Sequence, residues 1–251
     1  MKTIAIIPAR MQATRFPGKP LKPILGLPMI EHVRRRVLLC EDLDDVIVAT
    51  CDESIKDVVE SSGGKAVMTA DTYERCTDRI AEAALSFKSD IVINVQGDEP
   101  LIMPEMLSAM INVMKSERNI ECVNMVTPII DDVEFNDPNA PKVVTDLKNK
   151  ILYISREPIP SKKKTNKYDY RKLKQLGLIA FRYDFLQKFT KLEQTPLEKI
   201  ESVDMMRAIE HGFFVLALES NNKMIGVDVP EDINKVEVIL KEDKLLSRYL
   251  S

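Results

Sequence analysis

The sequence predicts an α/β fold, a doubly wound, mostly parallel sheet with an inserted β-rich lobe. Two observations carry this. Over the first 120 residues, short apolar runs alternate with amphipathic stretches of helical period, as parallel strands joined by crossover helices do. Past residue 120 the β-like runs crowd together, and two of them flank a turn-like Lys148-Asn149-Lys150. No repeat, low-complexity tract or clean linker divides the two patterns. The 251 residues therefore read as one domain whose second half inserts into or packs on the first.

The first strand is the apolar run 4–7, and Pro8, lacking an N–H, is expected to stop its ladder. A loop with Arg10, Arg15, Gly18 and Lys19 follows. Cations directly after a buried strand describe a polyanion cradle, and a triphosphate suits it best. Its spacing matches neither the P-loop nor the dinucleotide glycine motif. A plain solvated basic loop is the competing reading. Pro28 opens a helix with Met29, Ile30, Val33, Val37 and Leu38 on one face, and Arg34, Arg35 and Arg36 read as its solvated side. Residues 45–50 form the second strand. Asp52 or Ser54 caps the next helix, which Gly63 and Gly64 end. The third strand is 65–69. A polar stretch, 71–79, leads into an Ala-rich helix to about Phe87, and 90–95 is the fourth strand.

In the second half, 121–128 reads as a strand, 142–145 and 151–154 as a hairpin, and 176–181 as a further strand. The Lys-rich 161–170 has no apolar period and reads as a mobile loop, or less readily as a lid over an anionic substrate. Residues 196–209 suggest one helix with Leu197, Ile200, Val203, Met206 and Ile209 on one face. Residues 213–218 suggest a buried strand, and 226–232 a turn into a final helix.

Composition excludes several classes. A net charge of −3, with 45% hydrophobic and 30% charged residues, does not favour non-specific nucleic-acid binding, so the basic residues must act locally. Cys40, Cys51, Cys76 and Cys122 are far apart and form no CxxC pair. They read as the reduced thiols of a cytoplasmic protein. No apolar run approaches a membrane span, and the chain opens on a strand rather than a signal peptide. With His32 and His211 alone, a His-based metal cluster or triad is implausible.

Chemistry collects at residues 94–100, Asn-Val-Gln-Gly-Asp-Glu-Pro, which end the fourth strand. Gly97 allows a sharp turn and leaves Asp98 at the strand's edge. Asp228 occupies a similar strand-to-helix turn far downstream. Mg²⁺ takes one or two carboxylates plus substrate phosphates, so Asp98 and Asp228 are the candidate metal pair. Helix capping is the competing role, more serious for Asp228, which precedes Pro230. A cationic cradle with two metal carboxylates describes a nucleotidyltransferase.

These residues resemble a known family. The segments 7–10 (Ile-Pro-Ala-Arg), 15–21, 26–29, 94–100, 139–144, 155–160, 196–201 and 226–232 are similar, in order and nearly end to end, to those of 3-deoxy-manno-octulosonate (Kdo) cytidylyltransferases. The resemblance implies a Rossmann-like fold, a homodimer, and CTP, Mg²⁺ and a small anionic acceptor as partners. The acceptor hydroxyl would attack the α-phosphorus and release pyrophosphate. It implies a nucleotide-binding half, 1–120, an acceptor and dimer lobe, 121–220, and a metal-ligand turn with C-terminal helices, 221–251. Pro8, Ala9, Arg10, Arg15, Lys19, Tyr73 and Arg79 would bind the nucleotide, with Arg10, Lys19 and Asp98 catalytic. Gln96, Arg156, Gln175, Glu198 and Glu201 would face the acceptor, Arg156 taking its carboxylate in fork geometry. A surface ion pair is the competing role for Arg156, and plain solvation for the two glutamates. Positioning and charge neutralisation suffice for this reaction, so no general base is named.

The chain departs from the family at three places. The usual His-x-Ser-Gly-Thr-Glu/Asp-Arg is here Tyr73-Glu-Arg-Cys-Thr-Asp-Arg, with Cys76 at the glycine position. The usual His-Leu-Gly-x-Tyr-Gly is residues 175–180, with Gln175 and Ile179 replacing His and Tyr. Lys199 stands where His is common. Such changes alter which hydroxyls a pocket accepts. A different sugar acid, or a small phosphate or phosphonate served by Arg75 and Lys199, is therefore an alternative acceptor. A nucleotide-binding protein without catalysis is the third reading, opposed by the intact Arg10, Lys19, Asp98 and Asp228.

Overall fold

A computed structural model of the chain describes residues 1–12, 15–73, 75–161, 170–222 and 224–250. The elements run in order as β1 (Thr3–Ala9), a 3-10 turn (Lys19–Leu21), β2 (Pro23–Ile24), β3 (Leu27–Pro28), α1 (Met29–Val37), β4 (Asp45–Thr50), α2 (Glu53–Ser61), β5 (Lys65–Met68), α3 (Cys76–Ala84) and β6 (Ile91–Val95). Then follow α4 (Pro104–Ser116), β7 (Cys122–Pro128), α5 (Asp132–Asn136), β8 (Lys142–Thr145), β9 (Ile151–Ser155), β10 (Leu173–Arg182), α6 (Tyr183–Phe189), α7 (Pro196–Glu201), α8 (Met205–Glu210), β11 (Val215–Glu219), α9 (Pro230–Glu242) and α10 (Leu246–Tyr249).

Seven strands form the path β11-β7-β10-β6-β1-β4-β5, and β8 joins it from the side by pairing with β10. The pairs β1–β4, β1–β6, β4–β5 and β7–β11 are parallel, and only β10 runs against both of its neighbours, β6 and β7. The sheet is thus doubly wound and mostly parallel, as the alternation predicts. The second half continues the same sheet through β7, β10 and β11, and only the β8–β9 hairpin projects from it.

Strand β1 is buried along its whole length because both faces are covered. Ala5, Ile7 and Ala9 face a core with α1, α2 and α4, while Ile4 and Ile6 face one with α3, α6 and α8. A third, smaller cluster joins Phe16, Ile24 and Met29 to Val236 and Leu240 of α9, fastening the C-terminal helix behind the basic loop.

Several expectations need correction. Pro8 does not end β1. The ladder toward β6 stops at Ile6↔Asn94, but the one toward β4 continues to Ala9↔Thr50. The Arg34–Arg36 run is not a solvated face, since Arg34 and Arg36 are buried and ion-paired to Glu31 and Asp243. The predicted single helix over 196–209 is two, α7 and α8, broken at Ser202, whose left-handed φ of 54° no helix accommodates. Ile200 is consequently exposed rather than on a buried face. The last strand begins at Val215, later than the apolar run suggests, and α10 follows α9. Helices α4, α5 and α6 were not anticipated. The Lys-rich loop falls on 162–169, which lie outside the described residues.

Candidate active site

The cleft opens where β1 and β6 end. Asp52 occupies the N-cap position of α2, yet its carboxylate accepts from the Met11 N–H at 2.8 Å instead of capping. Gly18, with φ of 72°, donates to Met11 O at 3.0 Å and closes the basic loop. Lys19 then points inward from the 3-10 turn. Its Nζ lies 2.8 Å from Asp98 Oδ2, 2.6 Å from Val227 O and 3.8 Å from Asp228 Oδ1. Arg15 donates to Asp228 Oδ1 at 3.1 Å and to Asn139 Oδ1 at 3.3 Å. The Arg10 side chain is exposed and has no partner among the described residues.

Asp98 and Asp228 are held together by backbone, the Val227 N–H donating to Asp98 O at 2.9 Å. The capping question at Asp228 resolves in the structure. Asp232 Oδ2 accepts from the Asp228 and Val229 N–H groups at 3.0 and 3.2 Å, which leaves the Asp228 carboxylate for Lys19 and Arg15. Gly97 is required here because a Cβ would stand 2.7 Å from Pro8 O. Glu99, beside the pair, has its carboxyl pushed up to about 8 by burial, with Asp98 and Asp228 adding to the rise. Its Oε2 is buried without a partner among the described residues.

The opposite wall comes from β10. Gln96 donates its N–H to Gly177 O at 3.2 Å, and its side chain lies on the bare Gly177 backbone, where a Cβ would be 2.4 Å from Gln96 Cγ. Gln175 Nε2 donates to Asn124 Oδ1 at 2.6 Å. The β10–β7 register shifts between Gln175 and Ile179, and both residues turn to the cleft. Arg156 is not a surface ion pair. Its guanidinium donates to Glu201 O (2.7 Å), Pro138 O (2.8 Å) and Ser202 O (3.4 Å), all backbone carbonyls.

The two glutamates of α7 do not line the cleft. Glu198 is fully buried and held by Arg207 through two bonds of 2.8 and 2.6 Å, so it neither contacts an acceptor nor is solvated. Glu201 accepts from Tyr153 OH, Ser155 Oγ and Arg156 N at 3.0, 2.9 and 2.8 Å. It positions Arg156 from behind.

The departing segment 73–79 closes the cleft from the α3 side. Arg79 is buried, donating to Thr69 Oγ1, with NH2 unpartnered among the described residues. Arg75 is paired with Asp204 at 3.6 Å and Ser202 Oγ at 3.0 Å, and Lys199 is exposed away from the cleft. Lys199 therefore gives no support to a phosphate or phosphonate acceptor, while Arg75 lines the cleft with its charge already shared with Asp204. The Cys76 thiol is pushed up to about 11 by burial and the nearby Asp204.

The cleft measures about 620 Å³. It gathers Pro8, Ala9, Arg10, Arg15, Lys19, Tyr73, Arg79, Gln96, Asp98, Arg156, Gln175 and Asp228 from segments far apart in sequence. Three residues of the site escaped the sequence reading. Asp204 carries no motif signal. Glu99 was quoted only as a neighbour of Asp98. Lys142 is buried, and its ammonium donates to Asp137 O and Arg156 O at 2.8 and 2.5 Å. A lysine in an apolar strand run was the available signal for it.

A mostly parallel sheet with a basic loop, a lysine bridging two carboxylates and a polar far wall defines a nucleotidyltransferase. Comparison with known proteins agrees. Residues 4–241 match the cytidylyltransferase family model. A 3-deoxy-manno-octulosonate cytidylyltransferase of Syntrophotalea carbinolica is 39% identical over 96% of this chain and 99% of its own. One of Geobacter metallireducens is 41% identical over 94% and 96%. A solved CMP:2-keto-3-deoxy-manno-octonic acid synthetase complexed with CTP superimposes with a TM-score of 0.91 at 35% identity, covering 96% of this chain and 99% of that one. The chain belongs to the cytidylyltransferase family and is a nucleotidyltransferase enzyme.

Proposed function

We propose that the enzyme transfers CMP from CTP to the hydroxyl of Kdo or a Kdo-like sugar acid, with Mg²⁺, releasing pyrophosphate. The observation that carries this is Lys19, whose ammonium lies within 4 Å of both Asp98 and Asp228 at the mouth of the cleft that Gln96 and Arg156 line. The relatives named for Kdo support the acceptor.

The donor set fits Mg²⁺. Two carboxylate oxygens converge on one cation, and among the described residues no group of three His, Cys, Asp or Glu could hold a metal unaided. Substrate phosphates would complete such a site. Bound there by Asp98 and Asp228, the ion would supply charge neutralisation at the phosphate. Lys19, Arg10 and Arg15 offer cations to the triphosphate, and Tyr73 and Arg79 stand on the side proposed for the base. Arg156 and Gln96 receive the acceptor, with Gln175 beside them. Glu99 lines the cleft with its Oε2 buried, and no step is assigned to it. We read the chain as a cytoplasmic homodimer. All four cysteines are free, in keeping with a reducing compartment.

Pyrophosphate release tests the reading, with CTP, UTP, ATP and GTP crossed against Kdo, amino-Kdo, a sialic-acid-type sugar and simple phosphonates. Turnover should be highest with CTP and Kdo, and Lys19→Ala should cut kcat about a hundredfold or more. Highest kcat/KM on a different acceptor would overturn the Kdo assignment. Full activity of Lys19→Ala would overturn the site.

A further inference from the structure

The side chain of Cys76 sits at the start of α3, between the two walls of the cleft. On one side its Sγ is 4.0 Å from Asp204 Oδ2, at the N-cap position of α8. On the other it is 3.1 Å from Gln96 Nε2 and 3.8 Å from Asn94 Nδ2. Asp204 also accepts from Thr77 Oγ1 at 2.7 Å and pairs with Arg75 at 3.6 Å.

These contacts assign hydrogen-bond directions. A carboxylate only accepts, so the S–H points to Asp204. The sulfur's lone pairs then face the two carboxamides, and each must present its N–H₂ to them. Gln96 is held on its other side by Gly177, where a Cβ would come within 2.4 Å of Gln96 Cγ. Its Oε1 is directed away from the sulfur and meets no partner among the described residues. The high thiol pKa, about 11 through burial and Asp204, keeps the proton on the sulfur at neutral pH.

We propose that Cys76 is a positioning residue that locks the Gln96 carboxamide with its oxygen toward the acceptor, so that the site reads a hydroxyl proton there. This rests on the proposed acceptor role of Gln96. A serine at 76 keeps a donor and an acceptor, whereas an alanine keeps neither and frees the carboxamide to flip.

The test is steady-state kinetics of Cys76→Ala, Cys76→Ser, Gln96→Ala and the Cys76→Ala/Gln96→Ala double variant, with CTP and Kdo varied in turn. Cys76→Ala should raise KM for Kdo about fivefold, the effect of one lost hydrogen bond, and leave KM for CTP unchanged. Cys76→Ser should stay within about twofold of the parent. In the Gln96→Ala background the Cys76→Ala change should add nothing. An unchanged KM for Kdo in Cys76→Ala would overturn the proposal. So would an equal rise in KM for CTP, which marks general loosening, or full additivity with Gln96→Ala. No turnover of Kdo by the parent enzyme would instead overturn the acceptor assignment. The same ratios, measured with the best acceptor of the panel, then decide on Cys76 by the same criteria.

Discussion

Glu201 shows how a carboxylate off the cleft can shape it. Burial alone would push its carboxyl up, but donors from Arg156 N, Ser155 and Tyr153 outweigh that and hold it below the usual carboxylate range. Those bonds fasten β9 to α7 and fix the backbone from which Arg156 projects. Glu201→Ala would strand three donors, so it should lower stability by about 2–4 kcal/mol in chemical denaturation, and Glu201→Gln by less. An unchanged denaturation midpoint would contradict this role. The sequence pointed to Glu201 through its motif but misplaced it, because its partners lie some 46 residues upstream, a distance no local pattern spans. Glu198 failed for a related reason. Three-residue spacing puts both on one helix face, but says nothing of whether Arg207 or the cleft stands opposite.

At the scale of elements, the C-terminal helices clasp α1. His32 Nδ1 is 2.9 Å from Tyr249 OH and its Nε2 is 2.7 Å from Ile24 O, and since a carbonyl only accepts, Nε2–H donates to it. Arg35 donates to Tyr249 O at 3.0 Å, Arg36 pairs with Asp243, and Glu237 accepts from Leu25 N at 3.1 Å. The arginines read as solvent-facing from sequence because helix charges usually are. Arg34 is covered by Ser62 and Gly64 after α2, and Arg36 by residues 101–103 and by Asp243, contacts no local pattern predicts. Burial lowers the His32 pKa, with Arg36 and Arg35 adding to the drop against the Ile24 carbonyl, which raises it. The unfolded chain therefore takes up a proton below about pH 6.5 that the folded clasp resists. Stability from this group is present above that pH and is lost as pH falls toward the lower native pKa. The wild-type Tm should fall more between about pH 7.5 and pH 5.5 than that of His32→Gln. Parallel pH slopes would refute the assignment.

Across the whole molecule, the fold class was legible because β1, β4 and β6, at the centre of the first half, are buried almost throughout and read as apolar runs between helices. The second half was harder. A strand that reverses direction, such as β10, leaves no mark in its own residues, and its ends blur into the cleft at Gln175 and Gly177. The carboxylates Asp98 and Asp228 were legible as a pair at strand ends because Gly97 and Pro230 punctuate their turns. The lysine bridge across it was not, since it depends on three segments meeting. Asp204 was invisible for the same reason, and Lys142 showed only as a lysine in an apolar strand run.

The reversed strand also decides how the enzyme can move. Residues 178–182 of β10 are laddered directly to Val95 through Ile91 of β6, so the wall that carries Gln175 and Gly177 and the wall that carries Asp98 are one continuous sheet. No hinge separates them, and clamshell closure about the substrate would break that ladder. Small-angle scattering profiles recorded with and without CTP and Mg²⁺ should superimpose, and hydrogen exchange should slow in the loops around the cleft while β6 and β10 stay protected throughout. A contraction of the particle on nucleotide binding would show that the sheet yields after all.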